Sequence, residues 1–179
     1  MQFGSVLRNR AENFPETLSI QRRPNLVAIP EFLDMLYGGS TGFLAVVKIG
    51  EESGQPDHTS WINWPEQQAY AEKMIATNSD EDVYVSVALY SQKERASADK
   101  DAKTRVVYAD ADTCHPSNFR LTPSISVQTS KGRWHCYWLL DGEVSADLAS
   151  EASRKIAVAH ESQGCDKSGW IKTKILRVP

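Results

Sequence analysis

The chain has no apolar run of the roughly 20 residues that a helix needs to span a bilayer. Its start, Met1-Gln2-Phe3-Gly4-Ser5-Val6-Leu7-Arg8, has no basic stretch leading into an apolar core, so neither a secretory signal nor a membrane partner is expected. Cysteine is scarce: Cys114, Cys136 and Cys165 are odd in number and far apart. That excludes a disulfide framework and fits a reducing cytoplasm. Cys114-His115 and His135-Cys136 show neither CxxC nor His-x3–5-His spacing, so zinc is not expected. Internal repeats and low-complexity tracts are missing, which excludes solenoids and fibrous arrays.

What is present suits a globular protein. With 179 residues, 41% of them hydrophobic, the chain can bury one core, as one domain or two small lobes. A net charge of −3 argues against a nucleic-acid partner, but its distribution does not. Residues 1–119 carry 11 Lys/Arg against 17 Asp/Glu, whereas residues 120–179 carry 9 against 6. Phosphate-binding surfaces depend on local potential rather than on the total.

Residues 1–28 form a poorly patterned basic arm, with Arg8, Arg10, Arg22 and Arg23. Pro30 opens a helix to Tyr37, with Phe32, Leu33 and Leu36 on one face and Gly38-Gly39 as its stop. Residues 42–49 read as a buried strand and residues 50–58 as a polar loop. Asn63 is the candidate cap of a second helix, from Pro65 to Thr77, with Ala69, Tyr70, Met74 and Ile75 on its apolar side. Residues 83–90 alternate as a strand, and residues 91–104 form an exposed loop. Three strands follow, at 105–112, 124–129 and 133–140, the last two joined as a hairpin. Ser145 caps a helix to about Glu161, and residues 174–178 form a last strand. The chain ends inside an apolar pattern, so further domains downstream are expected. This order predicts an α+β or α/β sandwich with the hairpin beside the acidic strand.

Three pieces carry chemistry. In a strand Asp110 and Asp112 share a face, and paired carboxylates suit Mg²⁺ or Mn²⁺, although a solvated acidic turn would look the same. The turn Ser130-Lys131-Gly132-Arg133-Trp134-His135 places a hydroxyl, a guanidinium and an imidazole where a triphosphate tail could bind. Asp166 precedes a basic stretch with Lys172, Lys174 and Arg177. If that stretch lies beside the acidic strand, Asp166 completes a site for two metal ions, and the cations meet phosphates. Trp134 and Trp138 lie on the face opposite His135 and read as core; Trp170 reads as core or as a platform for a base.

In order and spacing these pieces resemble the archaeo-eukaryotic primase superfamily, in its primase-polymerase branch. The matching motifs are Tyr108-Ala109-Asp110-Ala111-Asp112, Ser130 through Trp138, and Gly164-Cys165-Asp166. Leu176-Arg177-Val178-Pro179 is similar to the family's closing Arg-x-Pro, normally followed by Gly-Thr. The likeness covers residues 83–179 well and the first half loosely. It is greatest to replication proteins of bacteriophages or plasmids, of the actinobacterial-phage kind, in which a helicase domain commonly follows.

The resemblance implies an α+β fold in which an N-terminal α/β lobe packs on an RRM-like antiparallel β-sheet lobe, with the active site between them. Residues 1–104 would form the first part, with the basic arm, and residues 105–179 the catalytic part. It implies a DNA primase and polymerase that uses two Mg²⁺ or Mn²⁺ ions on Asp110, Asp112 and Asp166. His135 is implied as catalytic, and it would bind dNTP or NTP together with Ser130, Lys131, Gly132 and Arg133. Lys172, Lys174 and Arg177 would meet nucleotide or template phosphates, and the template would be single-stranded DNA. Two rivals stay open. A Toprim-type primase or nuclease would use Glu51 and give no part to the 130–135 turn or to Asp166. A non-catalytic module would bind single-stranded DNA for a replication helicase. A rolling-circle nickase is disfavoured, because there is no His-x-His pair.

Overall fold

The structure, a computed structural model, describes residues 28–49, 56–77 and 82–179. The arginines of the basic arm, Glu51 and the turn at 78–80 lie outside the described residues. Helix α1 (Ala28–Tyr37) carries Pro30 in its first turn, where no intrahelical N–H is needed. Phe32, Leu33 and Leu36 are fully buried, each worth about 1.5–3 kcal/mol of apolar burial. Strand β1 (Gly42–Ile49) is paired on both edges, with β2 (Pro56–Trp64) and β3 (Asp82–Ser86).

Strand β2 corrects the end of the polar loop expected at 50–58, since it already begins at Pro56; residues 50–55 lie outside the described residues. Strand β2 is an edge strand, with proline at its first position. Polar residues are tolerated there because one side of the ladder faces solvent. Helix α2 (Gln68–Thr77) starts three residues later than expected. Asn63 does not cap it by its side chain; its amide donates to Gln67 Oε1 instead. The apolar face is also shifted: Ala71 and Ile75 are buried, whereas Tyr70 is 59% exposed.

Strand β3 stops at Ser86, short of the expected Tyr90, because the chain then crosses between sheets. Leu89 bridges Lys103 and Tyr90 bridges Phe43. Strands β4 (Lys103–Asp112), β5 (Ile125–Ser130) and β6 (Arg133–Ser145) make a second antiparallel sheet in the order β4-β6-β5. Strand β6 runs past Asp141-Gly142, where the sequence suggested an end, and pairs Val144 and Ser145 with the start of β4. Helix α3 (Ala146–Ala159) is capped by the Ser145 hydroxyl, which accepts the Leu148 amide. Its buried residues are small, Ala146, Ala149, Ser150, Ser153 and Ala157, so it lies close on β4. The Ser153 hydroxyl accepts the Tyr108 amide at 3.0 Å.

Strand β7 (Ile175–Arg177) pairs with β3, completing the first sheet in the order β2-β1-β3-β7. The basic stretch is therefore not paired with the acidic strand. One core fills the space among α1, the first sheet and the inner face of the second, with Leu44, Val85, Tyr108, Tyr137 and Leu176 in it. A second core lies on the α3 side, around Ala109, Cys136, Trp138 and Phe119. Burial pushes the Cys136 and Cys165 thiols up to about 12, so both stay uncharged. Among the described residues no helix is long and apolar enough to cross a membrane.

Candidate active site

The two sheets meet at a cleft of about 290 Å³. The second sheet lines it with Asp110, Asp112, Thr129, Ser130, Arg133 and His135. The first sheet and the segment before β7 contribute Tyr84, Lys174, Ile175 and Arg177. Seven of the residues singled out in the sequence, Asp110, Asp112, Ser130, Arg133, His135, Lys174 and Arg177, are thereby brought together.

Asp110 and Asp112 face one cleft, but not by simple alternation. A bulge between them leaves Ala111 extra, so Asp110 pairs with His135 and Asp112 with Trp134. Asp112 has φ 44°, in the left-handed region, which aspartate tolerates better than most side chains. Each carboxylate meets a cation. Lys174 Nζ lies 2.8 Å from Asp110 Oδ2, and the Arg133 guanidinium binds Asp112 Oδ1.

His135 is nearly buried, with Nε2 3.8 Å from Asp110 Oδ1. Its Nδ1 accepts the Arg177 amide at 3.2 Å, which puts the ring proton on Nε2, toward the cleft. Burial pushes the imidazole down to about 4, with the Asp110 charge opposing, so His135 is neutral near pH 7. Arg177 is fixed by Thr129 O at 2.9 Å and by the Asp82 carboxylate. Burial raises the Tyr84 hydroxyl above its ordinary range, and Asp110 adds to the effect.

Asp166 is held beside Asp110 by its backbone, its amide donating to Asp110 O at 3.0 Å. Its carboxylate is turned to Ser168, accepting the amide at 2.8 Å and the hydroxyl at 2.7 Å. Burial works against the charge, yet those bonds and Lys174 hold the carboxyl below its usual range. Gly169 makes this approach possible: a Cβ there would stand 2.6 Å from Asp110 Cβ.

Other expected residues fall elsewhere. Lys131 and Gly132 form the exposed hairpin tip, where Gly132 supplies φ 76°. Lys172 is outside the cleft and buried, with Nζ 2.9 Å from Asp99 O and 2.9 Å from Asp147 Oδ1. It ties the 91–102 loop to the start of α3. Tyr84, Thr129 and Ile175 were not expected in the site. Tyr84 had a signal, since it stands on the opposite face from the buried Val83 and Val85.

The donor chemistry suits hard divalent ions: two carboxyl groups on one cleft wall, each beside a cationic side chain. Among the described residues, however, no group of three His, Cys, Asp or Glu side chains is arranged to hold a metal ion. A Toprim-type site leaves the 130–135 turn idle, yet Ser130, Arg133 and His135 share the cleft with both aspartates.

Two antiparallel sheets, three helices and a cleft between the sheets make up a fold that is shared with solved catalytic domains of primases. The chain is similar to the catalytic domain of primase Repb', whose structure was determined in complex with initiator DNA, at 16% identity. That match covers 85% of this chain and 74% of the other, with a TM-score of 0.55. It is also similar to the AEP domain of the cyanophage S-2L primase-polymerase, at 14% identity over 86% of this chain and 81% of that one, with a TM-score of 0.56. At such identities the likeness is one of fold. No protein-family model and no curated protein matches the chain.

Proposed function

We propose that the chain is a template-directed nucleotidyltransferase, a DNA primase and polymerase acting in phage or plasmid replication. The observation that carries this reading is the cleft itself, which sets Asp110 and Asp112 against Ser130, Arg133, His135, Lys174 and Arg177. The fold, shared with a primase and a primase-polymerase domain, supports it.

Asp110 and Asp112, with Asp166 beside them, are the residues that would hold two Mg²⁺ or Mn²⁺ ions. When bound, such ions lower the pKa of an attacking hydroxyl and offset charge on a triphosphate. Arg133 and Lys174 now pair with the two aspartates and become available to phosphate oxygens when those carboxylates take other partners. Ser130 offers its hydroxyl from the hairpin. His135 donates from Nε2 as a neutral imidazole, its ring fixed by the Arg177 amide. Single-stranded DNA is the template, and a helicase domain in the full-length protein is the expected neighbour. Residues 105–179 supply most of the cleft, and residues 1–104 support it through β3.

Nucleotide incorporation on a single-stranded template, with and without primer, in Mg²⁺ and in Mn²⁺, tests the reading. The Asp110→Ala/Asp112→Ala double variant should lose incorporation, whereas incorporation that survives refutes the site. Loss with Glu51→Gln but not with His135→Ala would favour the Toprim mechanism. Single-stranded DNA binding without any incorporation would leave a binding module.

A further inference from the structure

The cleft uses one face of β6, and the opposite face opens on a second cavity one residue along. Trp134 follows Arg133 and is the register partner of Asp112. Its half-buried indole lines a cavity of about 490 Å³ with His115, Pro116, Thr122, Pro123 and Ser126. The sequence placed Trp134 in the core; Cys136 and Trp138, further along the same face, are buried, but Trp134 is only partly covered.

The walls are flat and largely apolar: an indole, two prolines, and an imidazole edge-on to the indole. The His115 and Trp134 centroids are 5.4 Å apart with the planes at 75°. His115 Nδ1 is engaged by Ser117, its hydroxyl at 2.8 Å and its amide at 3.3 Å, so the ring presents Nε2 outward from that turn. Ser126 is 2% exposed, and among the described residues its hydroxyl meets only the Cys136 thiol, at 3.8 Å. That weak contact leaves a buried hydroxyl with bonding capacity to spare. Flat apolar walls with hydroxyl and imidazole groups at their edge match a nucleobase, which has a π face and a polar rim. Exposed cations stand along the same stretches of chain, Arg120 before Thr122 and Lys131 at the hairpin tip before Trp134. They suit the phosphates on either side of such a base.

We propose that this cavity takes an unstacked nucleobase of the single strand on which the neighbouring cleft acts, with the base stacked on Trp134. What the strand is used for rests on the nucleotidyltransferase reading; the binding does not. Asp112 of the cleft and Trp134 of the cavity are register partners, so the two sites are neighbours across the end of β6, and the cavity is a station on the path of the strand.

The test is the affinity of the described chain for a fluorescein-labelled single-stranded oligodeoxynucleotide, with intact bases or with abasic sites. Wild type should bind the intact strand about 5- to 150-fold more tightly than the abasic one, the factor that one base–aromatic stack produces. Trp134→Ala should bind both strands alike, and Trp134→Phe should keep most of the preference. An oligonucleotide carrying 5-iododeoxyuridine should photo-crosslink the wild type within residues 115–134. Equal wild-type affinity for intact and abasic strands, or crosslinks confined to other segments, overturns the proposal without relying on the folding of any variant. Incorporation is measured in parallel. Base-dependent binding without incorporation overturns the polymerase reading alone, and incorporation with no base preference overturns the pocket alone.

Discussion

Gly169→Ala isolates a steric demand of the cleft that no charge argument touches. Gly169 does not sit at positive φ, so alanine costs it no backbone strain. The cost is spatial. The new Cβ would stand 2.6 Å from Asp110 Cβ and 3.3 Å from Asp166 Oδ2. Ordinary carbon contact begins near 3.5 Å, so the 166–169 turn or the Asp110 side chain must move by about 1 Å. Overpacking of this size costs about 1–3 kcal/mol. For a domain this long, each kcal/mol lowers Tm by about 2–4 °C. Catalysis should suffer more, because misplacing a reacting group by about 1 Å costs on the order of 100-fold. The assay pairs thermal denaturation with primer extension. Gly142→Ala is the control, since nothing lies within 4 Å of a Cβ there. Gly169→Ala with wild-type extension and wild-type Tm would refute the packing of the Asp166 turn against Asp110.

Two lysines of one stretch should separate cleanly. Lys172→Met removes the tie among Asp99, Asp147 and the loop, so it should lower Tm by a few degrees and leave extension per folded molecule unchanged; Lys174→Met should do the reverse. The Asp99 carboxyl is opposed by burial but held below its usual range by the Ser91 amide and hydroxyl and the Asp101 and Ala102 amides. A depressed folded pKa gives stability that is present above the unfolded value of about 4 and is lost as pH falls through the folded one. The gap in urea midpoint between wild type and Asp99→Asn should therefore be constant near neutrality and shrink below pH about 4. Ser153→Ala leaves the Tyr108 amide without its buried acceptor and should cost about 1–3 kcal/mol, read from the same urea titrations.

Local patterns made the acidic strand, the hairpin and the Ser145 cap legible, because alternation, a two-residue turn with glycine and a capping hydroxyl are written in adjacent residues. The missing parts depend on distant or broken patterns. Strand β2 reads as loop because an edge strand can be polar. The partner of β7 is β3, some 90 residues earlier, and no local signal names it. Lys172 and Lys174 are two apart, which in a strand would put them on one face. The chain turns there instead, the Lys174 amide donating to Ile171 O at 2.8 Å, and the two side chains part. Asp166 was expected as a ligand. Its closeness to Asp110 comes from a backbone bond and from the lack of a Cβ at Gly169, neither of which a spacing rule can express.

The balance of charge in the cleft bears on the proposed ions. Its lining carries two carboxylates, Asp110 and Asp112, against three cations, Arg133, Lys174 and Arg177, with His135 neutral. Asp166 next to Asp110 brings the sum to neutrality. A nucleoside triphosphate carries about four negative charges at neutral pH, and the reaction concentrates charge on the transferring phosphoryl group. Against a neutral cleft that charge is unmatched, and Asp110 and Asp112 repel it. Two divalent ions on the carboxylates would supply about four positive charges and would release Lys174 and Arg133 from Asp110 and Asp112. Replacing the aspartates by neutral residues would also lessen the repulsion, but it would leave nothing to hold positive charge beside an attacking hydroxyl. The mixture of signs in one cleft of about 290 Å³ therefore fits the proposed site, which would bind an anion and activate a nucleophile in the same space.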